Sequence, residues 1–311
     1  MAPLGRYAPW FHRSSANEPF SYRAWKWLVQ KRSSVGWSSD LFDRIERTDW
    51  DLLIVLDACR FDALSEVADC AVVERAVSPV SATPDFLQSG AERDLFGDAT
   101  YVSANPQTRK YDPVPRGELV DVSEGGWDDY LATVPPDVVY DEALSQLEEG
   151  PPVVAHTLQP HFPHICRVGE SVVPVPGGYH PEQVDREIQG RLKMQRALAS
   201  GKGSLDAASR SYAVATQFAW DRALEATVEA LETGHTVCIT ADHGELFGEW
   251  GLYGHPMYTP VPALLDVPWA EATATDRETH DPTLEPPEEL PVSRVYGTAT
   301  DHDRLEALGY L

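Results

Sequence analysis

The sequence predicts an α/β protein built on a mostly parallel central sheet with helices on both faces. Continuous apolar runs of strand length, WDLLIVL (50–56), VVAHTL (153–158) and VCIT (237–240), read as strands covered on both sides. Segments of helical periodicity separate them, the order expected when crossovers join parallel strands. The runs then break into polar sequence, DACRFD (57–62), QPHFPH (159–164) and ADHGE (241–245), and strand carboxyl ends are where open α/β sheets hold ligands.

Taken in order, residues 1–47 read as an aromatic and basic extension packed on the core, and residues 48–311 as the main domain. Within the extension, FSYRAWKWLV (20–29) suits covering the sheet or touching a membrane, with covering the better fit. Asp57 ends the first strand, where an aspartate can cap the next helix or bind a ligand. Cys59 followed directly by Arg60 lacks the spacing of a phosphatase P-loop, which excludes a cysteine nucleophile there. In SATPDFLQ, Thr83 and Pro84 predict an N-cap and a first helical residue, placing a hydroxyl at a helix amino terminus.

Residues 91–150 are rich in proline and charge and carry no readable chemistry before a helix at 136–147. The second strand empties into a histidine loop, and His156, His161 and His164, two of them braced by prolines, look like imidazoles on a rigid support. Two helices follow, over 181–199 and 205–233, separated at Gly201 and Gly203. In the second, Val214, Phe218, Leu224, Val228 and Leu231 form an apolar face directed at the sheet. The third strand leads into Asp242-His243-Gly244-Glu245, where the glycine permits a sharp turn, and His255 follows inside Gly-His-Pro. ALLDV (263–267) is a further strand candidate, 270–290 a solvated loop, and 301–311 a short capped helix.

Composition narrows the function classes. With 311 residues, 42% of them hydrophobic, the chain can bury a full core. The net charge is −24, from 49 acidic and 25 basic residues, only five of the latter lysine. Acids dispersed over the whole chain disfavour nucleic acid as a partner and suit a salt-adapted cytoplasm, where screening relieves self-repulsion. Cys59, Cys70, Cys166 and Cys238 are scattered, with neither zinc-knuckle nor disulfide spacing. The amino terminus lacks a signal-peptide core and no run approaches membrane-spanning length, so the expectation is a cytoplasmic protein, with the inner membrane face as a peripheral site. Oligomeric state stays open.

The chemistry lies in the order: strand and Asp57, loop and Thr83, strand and histidine loop, long helix, strand and Asp242-His243, then His255. Parallel strands bring such residues to one sheet edge. Aspartate with imidazole suits manganese, zinc or magnesium.

VLDACRFD (55–62), SATP (81–84), LQPHFPH (158–164), TADHGELFGEWGLYGH (240–255) and LEALGYL (305–311) together resemble the alkaline phosphatase superfamily. The likeness is to its sulfatase-like branch, which includes lipoteichoic acid synthases and phosphoethanolamine transferases, and it extends from about residue 48 onward. It implies an alkaline phosphatase-like fold and a divalent metal at Asp57, Thr83, Asp242 and His243, with Thr83 as nucleophile. His161, His164 and His255 fall where the family places substrate-binding or second-metal residues. The formylglycine signature of sulfatases is missing, since Pro84 follows Thr83 directly and threonine cannot become formylglycine. Gln159 stands where a two-metal enzyme usually has an aspartate, so one metal site is expected and a second is left open.

The expected activity is metal-dependent hydrolysis or transfer of a phosphate ester through a phosphothreonine. Arg60 is a candidate fork for phosphoryl oxygens, and His161 or His255 a candidate proton donor to the leaving group. Expected substrates are phosphorylated small molecules, glycans or lipid head groups. The rival readings are a non-catalytic binding module and a sulfuric ester hydrolase.

Overall fold

The computed structural model of the protein describes residues 24–28, 30, 38–68, 73–150, 152–175, 194–199, 201 and 203–273. The strands are β1 (Leu52–Asp57), β2 (Glu74–Val77), β3 (Thr100–Ser103), β4 (Glu118–Asp121), β5 (Val153–Pro160), β6 (Ile165–Val168), β7 (Ser171–Pro174), β8 (Val237–Ala241), β9 (Leu246–Phe247), β10 (Tyr253–Gly254) and β11 (Asp266–Ala272). The helices named here are α1 (Leu41–Arg47), α2 (Phe61–Ser65), α3 (Thr83–Arg93), α4 (Pro136–Glu149), α5 (Met194–Ala199), α6 (Leu205–Glu232) and α7 (Pro262–Leu265).

Seven strands form the central sheet in the order β2-β11-β8-β1-β5-β3-β4. The pairs β8/β1, β1/β5, β5/β3 and β3/β4 are parallel, and β11 is antiparallel to both its neighbours. Every residue of β1, β5 and β8 is buried, which is why these strands read as unbroken apolar runs. Along β5, side chains alternate between two helical layers. His156 faces α3, its ring 6.1 Å from that of Phe86, which packs edge-on at 5.5 Å against Phe42 of α1. The next residue, Thr157, lies on the side of Tyr140 of α4, and α4 and α6 pack against each other and against β5.

Helix α6 is the main crossover into β8. Ser204 Oγ accepts a 3.2 Å hydrogen bond from the Ala207 amide and caps its start. Its end is closed by Gly234, at φ 89°. Several elements differ from the sequence reading. Residues 91–135 hold two strands of the sheet, β3 and β4, too short and too mixed in composition to stand out. Residues 262–265 are helical before β11 begins at Asp266, and β11 runs into the stretch expected to be a loop. Residues 181–193, the part of the 270–290 tract beyond 273, and the tail at 301–311 lie outside the described residues, as does Cys70. Cys59, Cys166 and Cys238 are buried free thiols.

The aromatic segment does not cover the sheet where it is described. Trp25 Nε1 donates to the Trp250 carbonyl, and Gln30 Nε2 donates to the Met257 carbonyl at 2.7 Å. It therefore lies against the loop after β9, leaving Trp25, Trp27 and Leu28 exposed.

Candidate active site

The parallel register sets two carboxylates side by side. Leu56 of β1 pairs with Ala241 of β8, so Asp57 and Asp242, the next residues, leave adjacent strands together. Ala58, at φ 60°, turns the chain there so that its amide donates to Asp242 Oδ1 at 3.1 Å, and the His243 amide donates to the same oxygen at 2.8 Å. Burial pushes the Asp242 carboxyl up, and the imidazoles of His243 and His156 with these amides outweigh it, leaving it below the usual carboxylate range.

His243 is held in one tautomer. Its Nδ1 lies 2.8 Å from the Gly244 carbonyl, which can only accept, so Nδ1 carries the proton and Nε2 presents a lone pair to the site. Burial lowers its pKa and keeps the ring neutral. Nε2 sits 3.3 Å from Asp242 Oδ2, 3.7 Å from Asp57 Oδ1 and 3.1 Å from Thr83 Oγ1. Thr83 Oγ1 is also 3.4 Å from Asp57 Oδ1. The four side chains named from the sequence, Asp57, Thr83, Asp242 and His243, are thus gathered in one buried cluster.

Thr83 does not cap its helix. Ala82 is the N-cap and Thr83 the first helical residue, so the hydroxyl faces the cluster instead of the helix's own amides. Gly244 has no need of a positive φ; a Cβ there would come within 2.1 Å of the Ala263 carbonyl oxygen, and the glycine is required for that close approach.

Three residues that sequence reading did not assign complete the surroundings. Asn105, just past β3, donates from Nδ2 to Asp57 Oδ2 at 3.0 Å. Its Oδ1 accepts from the Gln107 amide at 3.0 Å, which fixes the direction of the amide group. His156 stands on β5 with Nδ1 2.7 Å from the Tyr101 hydroxyl and Nε2 3.9 Å from Asp242 Oδ2. Burial drives its pKa down to about 4. Glu245, 1% exposed, is pushed up to about 7 by burial, and its Oε2 lies 2.9 Å from His255 Nδ1. Glu245 had a signal in its place in the DHGE run and His156 in the histidine run from 156 to 164, whereas Asn105 had none.

A second group adjoins the first. The His255 ring is 4.7 Å from that of His243 and 4.9 Å from that of His161. His161, Glu245 and His255 bring one ligand atom each within 4.8 Å of one another, as do Asp57, His156 and Asp242. Burial drives His161 down to about 3, so it is neutral.

Two of the candidate residues lie apart from these groups. His164 belongs to neither group: its Nδ1 lies 2.7 Å from Ser211 Oγ, and its ring packs between Phe162 and Tyr212. The Arg60 fork is taken up by acids of the chain, with Nε and Nη2 on Asp62 at 2.8 and 2.6 Å and Nη1 on Glu249 at 2.5 Å. It braces the loop after Glu245 rather than facing the cluster as an open fork.

No known family profile matches the chain, and no curated protein does. Among solved structures, it is similar to the integral membrane lipooligosaccharide phosphoethanolamine transferase A from Neisseria meningitidis, with 14% identity and a TM-score of 0.50 over 82% of this chain and 53% of that one. The fold is alkaline phosphatase-like. The soluble domain of that transferase aligns with 14% identity and a TM-score of 0.49, covering 72% of this chain and 76% of the domain. The phosphoglycerol transferase GacH from Streptococcus pyogenes aligns with 13% identity and a TM-score of 0.41, covering 86% and 78%. The chain spans about half the length of the whole membrane transferase. Among the described residues no helix is long and apolar enough to cross a membrane.

Proposed function

We propose that this protein is a metal-dependent phosphoester hydrolase or phosphotransferase with Thr83 as its nucleophile. The observation that supports this reading is the hydroxyl of Thr83, buried at a helix amino terminus and 3.1 Å from the basic nitrogen of His243. A threonine used only as a cap would turn that oxygen to its own helix amides.

The donor set fits a divalent cation such as manganese, zinc or magnesium. It combines buried carboxylate oxygens with an imidazole whose lone pair faces them, and Asp242 Oδ2, His156 Nε2 and Glu245 Oε1 have no hydrogen-bond partner although buried. Asp57, Thr83, Asp242 and His243 would hold one ion, and His161, Glu245 and His255 are the candidates for a second. A bound cation favours the deprotonated threonine and offsets charge on the phosphoryl oxygens.

The chain's own residues supply the rest. Asp57 Oδ1 and His243 Nε2 are the acceptors facing the Thr83 hydroxyl proton. Thr83 Oγ1 forms the bond to phosphorus while the ester oxygen leaves on the far side. His255, held through Nδ1 by Glu245, is placed to protonate the departing oxygen, with neutral His161 beside it. Water or an acceptor hydroxyl then displaces Thr83 from phosphorus. The substrate classes are phosphorylated small molecules, glycans and lipid head groups; the structural neighbours include enzymes named for phosphoethanolamine and phosphoglycerol transfer.

The test is a panel of phosphomonoesters and phosphodiesters run with each metal, together with mass analysis of acid-quenched protein. A phosphate adduct on Thr83 is expected; turnover with an aryl sulfate in preference to aryl phosphates would overturn the phosphoryl reading.

A further inference from the structure

The large hydrophobic side chains left exposed among the described residues are Trp25, Trp27, Leu28, Leu205, Trp250 and Tyr258. They are not scattered. Trp25 Nε1 donates to the Trp250 carbonyl, and the Cβ position of Gly251 is 3.4 Å from the same nitrogen. The Cβ position of Gly248 is 3.7 Å from Leu205 Cδ2. Gln30, just beyond Leu28, binds the Met257 carbonyl at 2.7 Å and Thr259 Oγ1 at 3.2 Å. All of these contacts fall on the loop from Gly248 to Thr259, which also carries His255.

Two of the aromatics are held there against their backbone preference. Trp250 and Tyr258 both adopt φ 57°, a left-handed conformation uncommon outside glycine, while 60% and 55% exposed. Neither burial nor local backbone preference accounts for a large ring in that state, and such conformations cluster at functional positions. The Tyr258 hydroxyl hydrogen-bonds Asp85, so the ring is anchored at its polar tip with its face open.

Charge selects the occupant. A second copy of this chain, or an anionic surface, would meet a protein of net charge −24 and be repelled. A zwitterionic bilayer has no net charge, and its interface is where tryptophan and tyrosine, apolar in body and polar at the tip, partition. We infer that the face formed by Trp25, Trp27, Leu28, Trp250 and Tyr258 docks on a zwitterionic lipid surface. The consequence for catalysis, that the phosphoester is drawn from that surface past His255, rests on the phosphoryl-transfer reading above; the docking itself does not.

The experiment is co-sedimentation of the full chain with phosphatidylcholine vesicles and with vesicles doped with phosphatidylglycerol, read by protein partition alone. Binding to phosphatidylcholine is expected, weaker with the anionic lipid at low salt and recovering as salt screens the charge. Trp250→Gly suits a left-handed backbone and relieves it, so the variant should melt no lower than the parent while its partition coefficient falls about tenfold. Trp27→Ala should lower partition without touching that loop's backbone. No partition of the parent chain, or partition unchanged in both variants, overturns the inference. A concentration-dependent dimer dissociated by Trp250→Gly, with no vesicle binding, would assign the face to a second copy. Hydrolysis of a soluble aryl phosphodiester by the parent, measured alongside, separates the two ideas: docking without hydrolysis removes the enzymatic reading only, and hydrolysis without docking removes this one only.

Discussion

Thr83 and His243 are 160 positions apart in the chain, yet Thr83 Oγ1 lies 3.1 Å from His243 Nε2 in a site closed to solvent. One comes from the start of α3 and the other from the exit of β8, and each is oriented by a backbone feature: Ala82 as the cap in place of Thr83, and the Gly244 carbonyl on Nδ1.

Thr83→Ala should therefore lower kcat by about a thousandfold or more, with stability reduced by only about 1 kcal/mol because one buried hydroxyl is lost. Thr83→Ser should keep measurable turnover. Steady-state kinetics on an aryl phosphodiester checks both, and an active Thr83→Ala protein rules out the nucleophile.

Removing metal should destabilise the fold. Buried carboxylates that share a cation repel when it is gone, and a ligand at about one hundred times its Kd adds about 2.7 kcal/mol. Calorimetry should show the Tm several degrees lower in a chelator and restored by manganese, zinc or magnesium. An unchanged Tm, with no metal by elemental analysis, would favour a non-catalytic module.

Tyr101→Phe deletes the hydroxyl that meets His156 Nδ1 at 2.7 Å. His156 then loses its orientation toward Asp242, and metal affinity should fall about tenfold or more, as when other outer supports of metal sites are removed. Titration calorimetry of metal binding reads this independently of turnover; equal affinities would show that His156 has no positioning role.

Gly244→Ala should be more damaging than its size suggests. The added Cβ would meet the Ala263 carbonyl oxygen at 2.1 Å, with Arg60 Cγ at 3.0 Å. Backbone must move, and overpacking of this kind costs about 1–3 kcal/mol. Urea denaturation measures the loss, and movement of the His243 carbonyl anchor should weaken metal binding in parallel.

Arg60→Ala should act on the loop more than on substrate. Its guanidinium is already bound to Asp62 and Glu249, both partly exposed, so the stability change should be about 1 kcal/mol. KM should stay near the parent value; a tenfold rise in KM would restore the phosphate-fork reading.

Much of this protein was legible in the chain itself. Apolar runs marked β1, β5 and β8, because a strand buried on both faces shows no alternation of apolar and polar positions. Asp57, Asp242 and His243 stood out because each breaks such a run at its carboxyl end. Helical spacing marked α6 as a helix, but of the face it named only Leu224 and Leu231 join the central core, while Val214 and Phe218 pack with β6 and β7. What the sequence could not carry were the partners that register brings in. Asn105 follows a four-residue strand hidden in a proline-rich stretch, His156 was marked by its histidine run but not as a neighbour of Asp242, and Arg60 meets Glu249 only through folding. These depend on the strand order β8-β1-β5-β3, which aligns four carboxyl ends at one edge. Strand identity is written in local periodicity, but strand order and register are settled by the packing of the whole sheet, so the tertiary structure alone decided which side chains meet at Thr83.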